Sequence, residues 1–133
     1  MDEATLPELE DRLADVKTRA FELGLDDVGS FGAGRFKRVL WLGIDTGAEA
    51  ASELAAAVEQ ACVASGLAPE VRPFRPHITL ARARDQRGAR APDLPAPPKF
   101  DIWKPAEFIL FQSRLGRGGA EYLPLRSFAF SGD

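Results

Sequence analysis

The chain has 133 residues, of which 45% are hydrophobic and 28% are charged, and its formal net charge is −3. These values predict a single globular domain over residues 1–133 and exclude a basic binder of long nucleic acids. No apolar stretch approaches the roughly 20 residues of a membrane span, and no signal peptide is visible. One cysteine and one histidine exclude an internal disulfide and disfavour a metal site, so we expect a cytoplasmic protein without a metal.

The first predicted element is a helix, because apolar residues recur at helical spacing: Leu6, Leu9, Leu13 and Val16. Thr5 and Glu8 have the spacing of a capping box at its start. Residues 21–28 alternate weakly and predict a strand, which residues 29–35 follow as a glycine-rich connection. The apolar run at residues 39–44 includes Trp41 and predicts a buried strand.

The second half of the chain is predicted to contain one helix and three strands. The helix covers about residues 48–65, with Cys62 on its apolar face as a core thiol and Gly66 as its stop. A strand runs from His77 to about residue 84, and the proline-rich residues 85–100 form a long irregular loop. Strands at about residues 107–115 and 122–130 close the chain as a glycine-linked hairpin. The fold class is therefore α+β.

Positive charge is concentrated in one window, residues 71–90, which carries +5 on an acidic protein. It contains one acid, Asp85, and six arginines: Arg72, Arg75, Arg82, Arg84, Arg87 and Arg90. Such a local patch favours a site for one anionic ligand over a track for a long polyanion. A solvated arginine-rich loop is the alternative reading of the same charges.

The predicted strand that begins at His77 contains a His-x-Thr pattern. Side chains alternate along a strand, so His77 and Thr79 share one face, while Ile78 and Leu80 are expected to point into the core. An imidazole can exchange protons near neutral pH, and a hydroxyl can donate a hydrogen bond to a phosphoryl oxygen. Strict alternation puts Arg82 on the opposite face, so a bulge near Ala81 is needed for its guanidinium to join them.

The two tryptophans have different predicted surroundings. Trp41 lies inside an apolar run and is expected in the core, whereas Trp103 lies beside the long loop, where stacking on a base and a structural role both remain open. A single His-x-Thr on a strand also fits a purely structural role. The arginine cluster favours a functional one.

Residues 72–82, RPFRPHITLAR, resemble the second signature of the two-histidine (2H) phosphoesterases, in the LigT/ThpR branch of the 2'-5' RNA ligases. The flanking segments RVLWLG at residues 38–43 and FQSRL at residues 111–115 are similar to that branch too. The resemblance therefore extends over nearly the whole chain, from about residue 2 to residue 130.

The resemblance implies a two-lobed α+β fold, with antiparallel sheets lining a central cleft and helices outside. It implies hydrolysis of RNA 2',3'-cyclic phosphate ends to 2'-phosphates, with 2'-5' RNA ligation as a related activity, and neither a metal nor ATP as a cofactor. His77 would be a catalytic acid or base and Thr79 a phosphate ligand. Arg82 would contact the phosphate or nucleotide, and Arg75 and Trp103 are further candidates for substrate binding.

Members of this branch carry an earlier His-x-Thr motif, whereas His77 is the only histidine of this chain. The first residues resemble the helix that follows that motif, so the N-terminal strands are expected to be missing. The resulting open sheet edges and apolar surface favour homo-oligomers. Because the chemistry needs two proton-transfer groups, weak turnover is expected. A non-catalytic domain that binds RNA ends or nucleotides, and an interaction domain with an incidental motif, remain alternatives.

Overall fold

The computed structural model describes residues 4–33, 36–83, 89–90 and 99–131. The helices and strands, in chain order, are α1 (Thr5–Ala14), β1 (Leu25–Ala33), β2 (Phe36–Ile44), α2 (Ala48–Ala64), β3 (His77–Arg82), β4 (Ala89–Arg90), β5 (Glu107–Gly116) and β6 (Gly119–Ala129). All strand pairs among them are antiparallel. This content confirms the α+β class. None of the helices described is long and apolar enough to cross a membrane.

The chain divides into two compact units. The first comprises Met1–Phe21, Glu53–Pro73 and Lys104–Asp133, and the second comprises Glu22–Ser52 and Phe74–Trp103. The first unit therefore contains α1 and the β5–β6 hairpin, and the second contains the sheet of β1 to β4. The strand that begins at His77 belongs to the second unit.

The core of the first unit forms where α1 meets α2 and the hairpin. Leu9 and Leu13, four residues apart on one face of α1, are 2% and 3% exposed and cluster with Ala61 and Phe128. The burial of these apolar side chains away from water is the main force that holds α1, α2 and the hairpin together. Cys62 packs against the cluster, as predicted for a core thiol.

The sequence predicts the end of α2 correctly and the start of α1 wrongly. The capping box is wrong: the N-cap is Ala4, which makes no side-chain cap hydrogen bond, and α1 already begins at Thr5. The Glu8 carboxylate instead accepts a hydrogen bond of 2.9 Å from Arg12, one helical turn later. Gly66 ends α2 as predicted, with a φ of +98°, a conformation that an L side chain adopts only with strain.

The four-stranded sheet of the second unit has the order β1-β2-β3, with β4 also on β2. The predicted strand over residues 21–28 begins too early, since β1 starts at Leu25. The predicted connection over residues 29–35 is wrong as far as Ala33, because glycines continue the strand there. Part of the predicted irregular loop, Ala89–Arg90, pairs with the start of β2, and most of that loop lies outside the described residues.

The expectation that Ile78 and Leu80 point into the core is wrong, because their side chains are 42% and 51% exposed. Both lie on β3, which pairs only with β2 among the described strands and is therefore an edge strand. Leu42, the partner of Ile78 on β2, is 6% exposed. Alternation separates the two faces of a strand, but an apolar face becomes core only where another element covers it.

The Cys62 thiol should react slowly with disulfide reagents. Burial and, secondarily, the nearby Glu59 carboxylate raise the pKa of the Cys62 thiol, so less of the reactive thiolate is present at a given pH. Stopped-flow measurement of the reaction rate against pH should give a half-maximal rate at higher pH for the folded chain than for the chain in denaturant. Coincident profiles in the two states would contradict this prediction.

Candidate active site

His77 begins β3, and a backbone contact fixes its imidazole. Its Nδ1 lies 2.6 Å from the carbonyl oxygen of Arg75. A carbonyl oxygen can only accept, so Nδ1 carries a proton, and Nε2 is the ring nitrogen that this contact leaves free for chemistry. Pro76 restricts the backbone of Arg75 to an extended conformation and so helps to place that carbonyl. The Arg-Pro-His sequence thus fixes the orientation of the imidazole and leaves its Nε2 without a backbone partner.

Two aromatic side chains from neighbouring strands surround this imidazole. The Phe31 ring meets the His77 ring edge to face at 5.6 Å between centroids, and the Trp41 ring lies 6.2 Å away. Phe31 and Trp41 also contact each other at 5.3 Å. Rings packed in this way restrict rotation of the imidazole, which supports a fixed direction for Nε2.

The sequence interpretation missed both aromatic neighbours. Trp41 is half-buried beside His77 and not in the core, and Phe31 lies in a strand and not in a connection. The Trp41 Nε1 atom is buried and has no hydrogen-bond partner among the described residues. The available signal was Gly29, because a glycine inside a strand often marks the close approach of another group. A Cβ atom at Gly29 would overlap Cη2 of Trp41.

Thr79 shares a face of the sheet with His77, as alternation predicts. In the register of β2 with β3, Thr79 is opposite Trp41 and His77 is opposite Gly43. Residues directly opposite in an antiparallel pair point to the same side. The Thr79 side chain is exposed. Its hydroxyl is therefore accessible to a ligand on the face that carries the aromatic residues.

The register also places Arg82 on this face, because the pairing shifts by one residue in β3. Thr79 pairs with Trp41 and Ala81 pairs with Leu40, so Leu80 is an extra residue in β3. After this bulge, Arg82 is opposite Val39, which lies two positions from Trp41 and therefore on the same side of β2. The irregularity that the sequence required near Ala81 is present.

The other two predicted binding residues are Arg75 and Trp103. Among the described contacts, neither side chain touches His77. The Arg75 side chain is exposed, and the contact that residue makes with His77 is through its backbone. Trp103 is 39% exposed, and its backbone is hydrogen-bonded to that of Leu23 at 2.8 and 3.0 Å. Their roles in substrate binding stay predictions.

The arginines of the charged window are divided between the two units. Arg72 belongs to the first unit, whereas Arg75 and Arg82 belong to the second. Arg84 and Arg87 lie outside the described residues. Arg90 lies in β4, where its backbone pairs with Phe36 of β2. Within the described part of the chain, no group of three or more His, Cys, Asp or Glu residues is arranged to hold a metal ion.

Substituting Gly29 with alanine should disturb the site. The added methyl group would collide with the indole of Trp41, which would have to move away from β1 and from the His77 ring. We expect a changed tryptophan fluorescence spectrum. Gly118→Ala is the matched control, because a Cβ atom there meets nothing within 4 Å. Equal spectra in the two variants would contradict this role of Gly29.

A family model described as the 2'-5' RNA ligase superfamily matches residues 1–112. An RNA 2',3'-cyclic phosphodiesterase of Escherichia coli K12 is 35% identical over 118 residues, which are 87% of this chain and 62% of that protein. A protein of the same description from Aeropyrum pernix is 34% identical over 89 residues, 67% of this chain and 51% of that protein. This chain thus spans less than two thirds of these relatives.

Solved structures agree with the sequence matches. The structure of E. coli LigT complexed with 3'-AMP superposes with a TM-score of 0.82 at 29% identity, covering 98% of this chain and 71% of LigT. A protein of Thermus thermophilus gives a TM-score of 0.80 at 30% identity, covering all of this chain and 74% of that protein. The LigT-like fold class is confirmed. The chain therefore belongs to the 2'-5' RNA ligase superfamily, within the LigT-type two-histidine phosphoesterases.

Proposed function

We propose that this chain binds RNA ends that carry a 2',3'-cyclic phosphate and hydrolyses them to 2'-phosphates, with 2'-5' RNA ligation as a related activity in which a 5'-hydroxyl replaces water. The observation that carries the proposal is that His77, Thr79 and Arg82 lie on the same face of β3. The Nε2 atom of His77 is the ring nitrogen that is not bonded to the Arg75 carbonyl. The activity named for the relatives supports it, and so does the 3'-AMP complex of LigT.

The proposed reaction breaks one phosphorus–oxygen bond. Water attacks the phosphorus, the bond to O3' of the ribose breaks, and the products are a 2'-phosphate and a free 3'-hydroxyl. A base must take a proton from the water, and an acid must give a proton to O3'. His77 supplies one of these roles through Nε2, Thr79 donates a hydrogen bond to a phosphoryl oxygen, and Arg82 neutralises phosphate charge through paired N–H groups.

The second proton-transfer group is not among the side chains described around His77. The ring contacts there are with Phe31 and Trp41, neither of which exchanges protons near neutral pH. A single positioned acid or base contributes roughly 10²–10⁴ in rate, so turnover by one chain should be well below that of an enzyme with both groups. A domain that binds RNA ends without turning them over is therefore the second candidate function.

The test is incubation of the purified chain with a short RNA that ends in a 2',3'-cyclic phosphate. We expect slow formation of the 2'-phosphate, resolved from the 3'-phosphate by chromatography, at the same rate with and without EDTA. Binding of the same RNA should be measured in parallel by fluorescence anisotropy. Binding without turnover would establish the second candidate, and the absence of both would refute the proposal.

We further propose that the open edge of β3 favours a homo-oligomer, in which His77 of a second copy supplies the missing proton transfer. β3 is an edge strand among those described, and Ile78 and Leu80 expose apolar surface along it. Specific activity should then fall on dilution as the dimer dissociates, in parallel with the mass from light scattering. Constant specific activity of a monomer would overturn this proposal. A cytoplasmic location stays a prediction.

A further inference from the structure

A cavity lies in the first unit, and none of its lining residues is assigned to the proposed reaction. Its volume is about 370 Å³, and it opens between the segment that follows α1 and the end of β6. That volume is at the lower end of the range in which proteins bind small molecules. Its lining consists of Ala14, Val16, Lys17, Thr18, Arg126, Ser127, Phe128, Ala129 and Ser131.

The polar lining of this cavity is suited to an anion. Lys17 and Arg126 contribute two cations, Thr18, Ser127 and Ser131 are polar lining residues, and no acidic residue is among the lining residues. Acidic residues outnumber basic ones in the chain as a whole, 20 to 17, so this composition runs against the average. The acid closest in sequence, Asp15, lines a neighbouring hollow and not this cavity.

The two cations are not neutralised within the described part of the chain. The salt bridge found there joins Arg12 to Glu8, and neither Lys17 nor Arg126 takes part in one. The Arg126 guanidinium carbon lies 5.1 Å from the centroid of the Phe128 ring, which is itself 7% exposed and belongs to the core. This cation–π contact holds the guanidinium against a rigid support while its N–H groups remain available to a ligand.

The wall opposite β6 is also held in place by hydrogen bonds. The carbonyl oxygen of Thr18 accepts hydrogen bonds from the backbone N–H of Ser131 at 2.9 Å and from its hydroxyl at 3.1 Å. The N–H of Ala20 donates to the carbonyl of Ser131 at 3.0 Å. These bonds fix the segment that carries Lys17 next to the strand that carries Arg126, so the charges need little rearrangement before binding.

We propose that this cavity is a second binding site for a phosphate group, with Lys17 and Arg126 as its cationic ligands and the hydroxyl of Thr18 as a hydrogen-bond donor. Arg126 offers paired N–H groups that match two oxygens of a phosphate, and Lys17 supplies a compact charge. The phosphate is either that of a free nucleotide or one in the backbone of an RNA. The site belongs to the first unit and His77 to the second, and its test does not depend on turnover.

The test is a titration of the ¹⁵N-labelled chain with inorganic phosphate, with adenosine 5'-monophosphate and with an RNA that lacks a terminal phosphate, followed by NMR. The amides that shift identify the binding site, so shifts around this cavity are scored separately from shifts around His77, Thr79 and Arg82. We expect amide shifts at residues 14–18 and 126–131. Saturation by phosphate or the monophosphate identifies a free nucleotide, and saturation only by the RNA identifies a backbone phosphate.

Two substitutions and one matched control make the assignment specific. Lys17→Gln and Arg126→Gln should each weaken binding roughly 10-fold, the loss expected for one charge-assisted hydrogen bond. Arg19→Gln removes the same charge two residues from Lys17, from an exposed side chain that does not line the cavity, and should have little effect. For RNA, the salt dependence of log K should become shallower by about 0.7 per lost phosphate contact.

Two outcomes would overturn the proposal. One is an absence of amide shifts around the cavity with all three ligands. The other is an equal loss of affinity in Lys17→Gln and Arg19→Gln, which would mean that only the overall charge matters. Because Arg126 also packs on Phe128, the folding of Arg126→Gln is checked by its unfolding midpoint. Lys17 is exposed after the end of α1, so its variant decides the question if Arg126→Gln is unstable.

Discussion

Substituting His77 with alanine should lower the rate of hydrolysis of a 2',3'-cyclic phosphate by roughly 10²–10⁴, the contribution of one positioned acid or base. The loss should appear in kcat more than in the affinity for the RNA end, because Thr79 and Arg82 remain in place on β3. Since the substitution leaves a space lined by Phe31 and Trp41, added imidazole should restore part of the activity.

The control for this prediction is Ile78→Ala. Ile78 is the next residue on the same strand, points to the opposite face and is 42% exposed, so its truncation should change turnover little. The measurement is single-turnover hydrolysis, with unfolding curves to show that both variants are folded. An unchanged rate in His77→Ala would mean that the imidazole takes no part in proton transfer. An equal loss in both variants would indicate a general effect on β3.

Substituting Leu9 with alanine should lower the free energy of unfolding by about 2–5 kcal/mol, the range for removing a buried leucine side chain from a core. Leu9 is 2% exposed and belongs to the cluster with Leu13, Ala61 and Phe128. Small domains are stable by only about 5–15 kcal/mol, so this loss is a substantial share of the total free energy of unfolding. Urea titration followed by circular dichroism gives the difference.

Val71→Ala is the comparison for this stability measurement. Val71 is 90% exposed, and substitutions of such surface residues change the free energy of unfolding by about 0.5 kcal/mol or less. A small effect in Leu9→Ala would show that α1 detaches from the first unit without loss of the remaining structure. A large effect in Val71→Ala would show that its side chain is covered in solution, for example by a second copy.

The helices and the hairpin could be predicted because their signals are local. Leu9 and Leu13 are separated by one helical turn, and Gly66 and Gly119 take positive φ values where an element ends or a turn closes. His77 and Thr79 could be placed on one face by alternation alone. Each of these inferences depends on residues within a few positions of one another.

The predictions that were wrong concern features that depend on residues distant in the sequence. The sequence predicts a connection at Gly29, although this glycine lies in β1 and accommodates Trp41 from the next strand. The apolar residues of β3 are predicted to be core, because a sequence pattern does not show which face of a strand is covered. The face of Arg82 depends on its partner Val39, which is more than 40 residues away along the chain.

The bulge at Leu80 divides β3 into two halves that differ in phase. His77 and Thr79 precede it and Arg82 follows it, so in a regular strand of this length the guanidinium would lie on the other side of the sheet. Deleting Leu80 would remove the bulge and still leave the arginine opposite Val39, whereas inserting one residue there would demand a second irregularity. In this strand the count of residues, as much as their identity, encodes the proposed site.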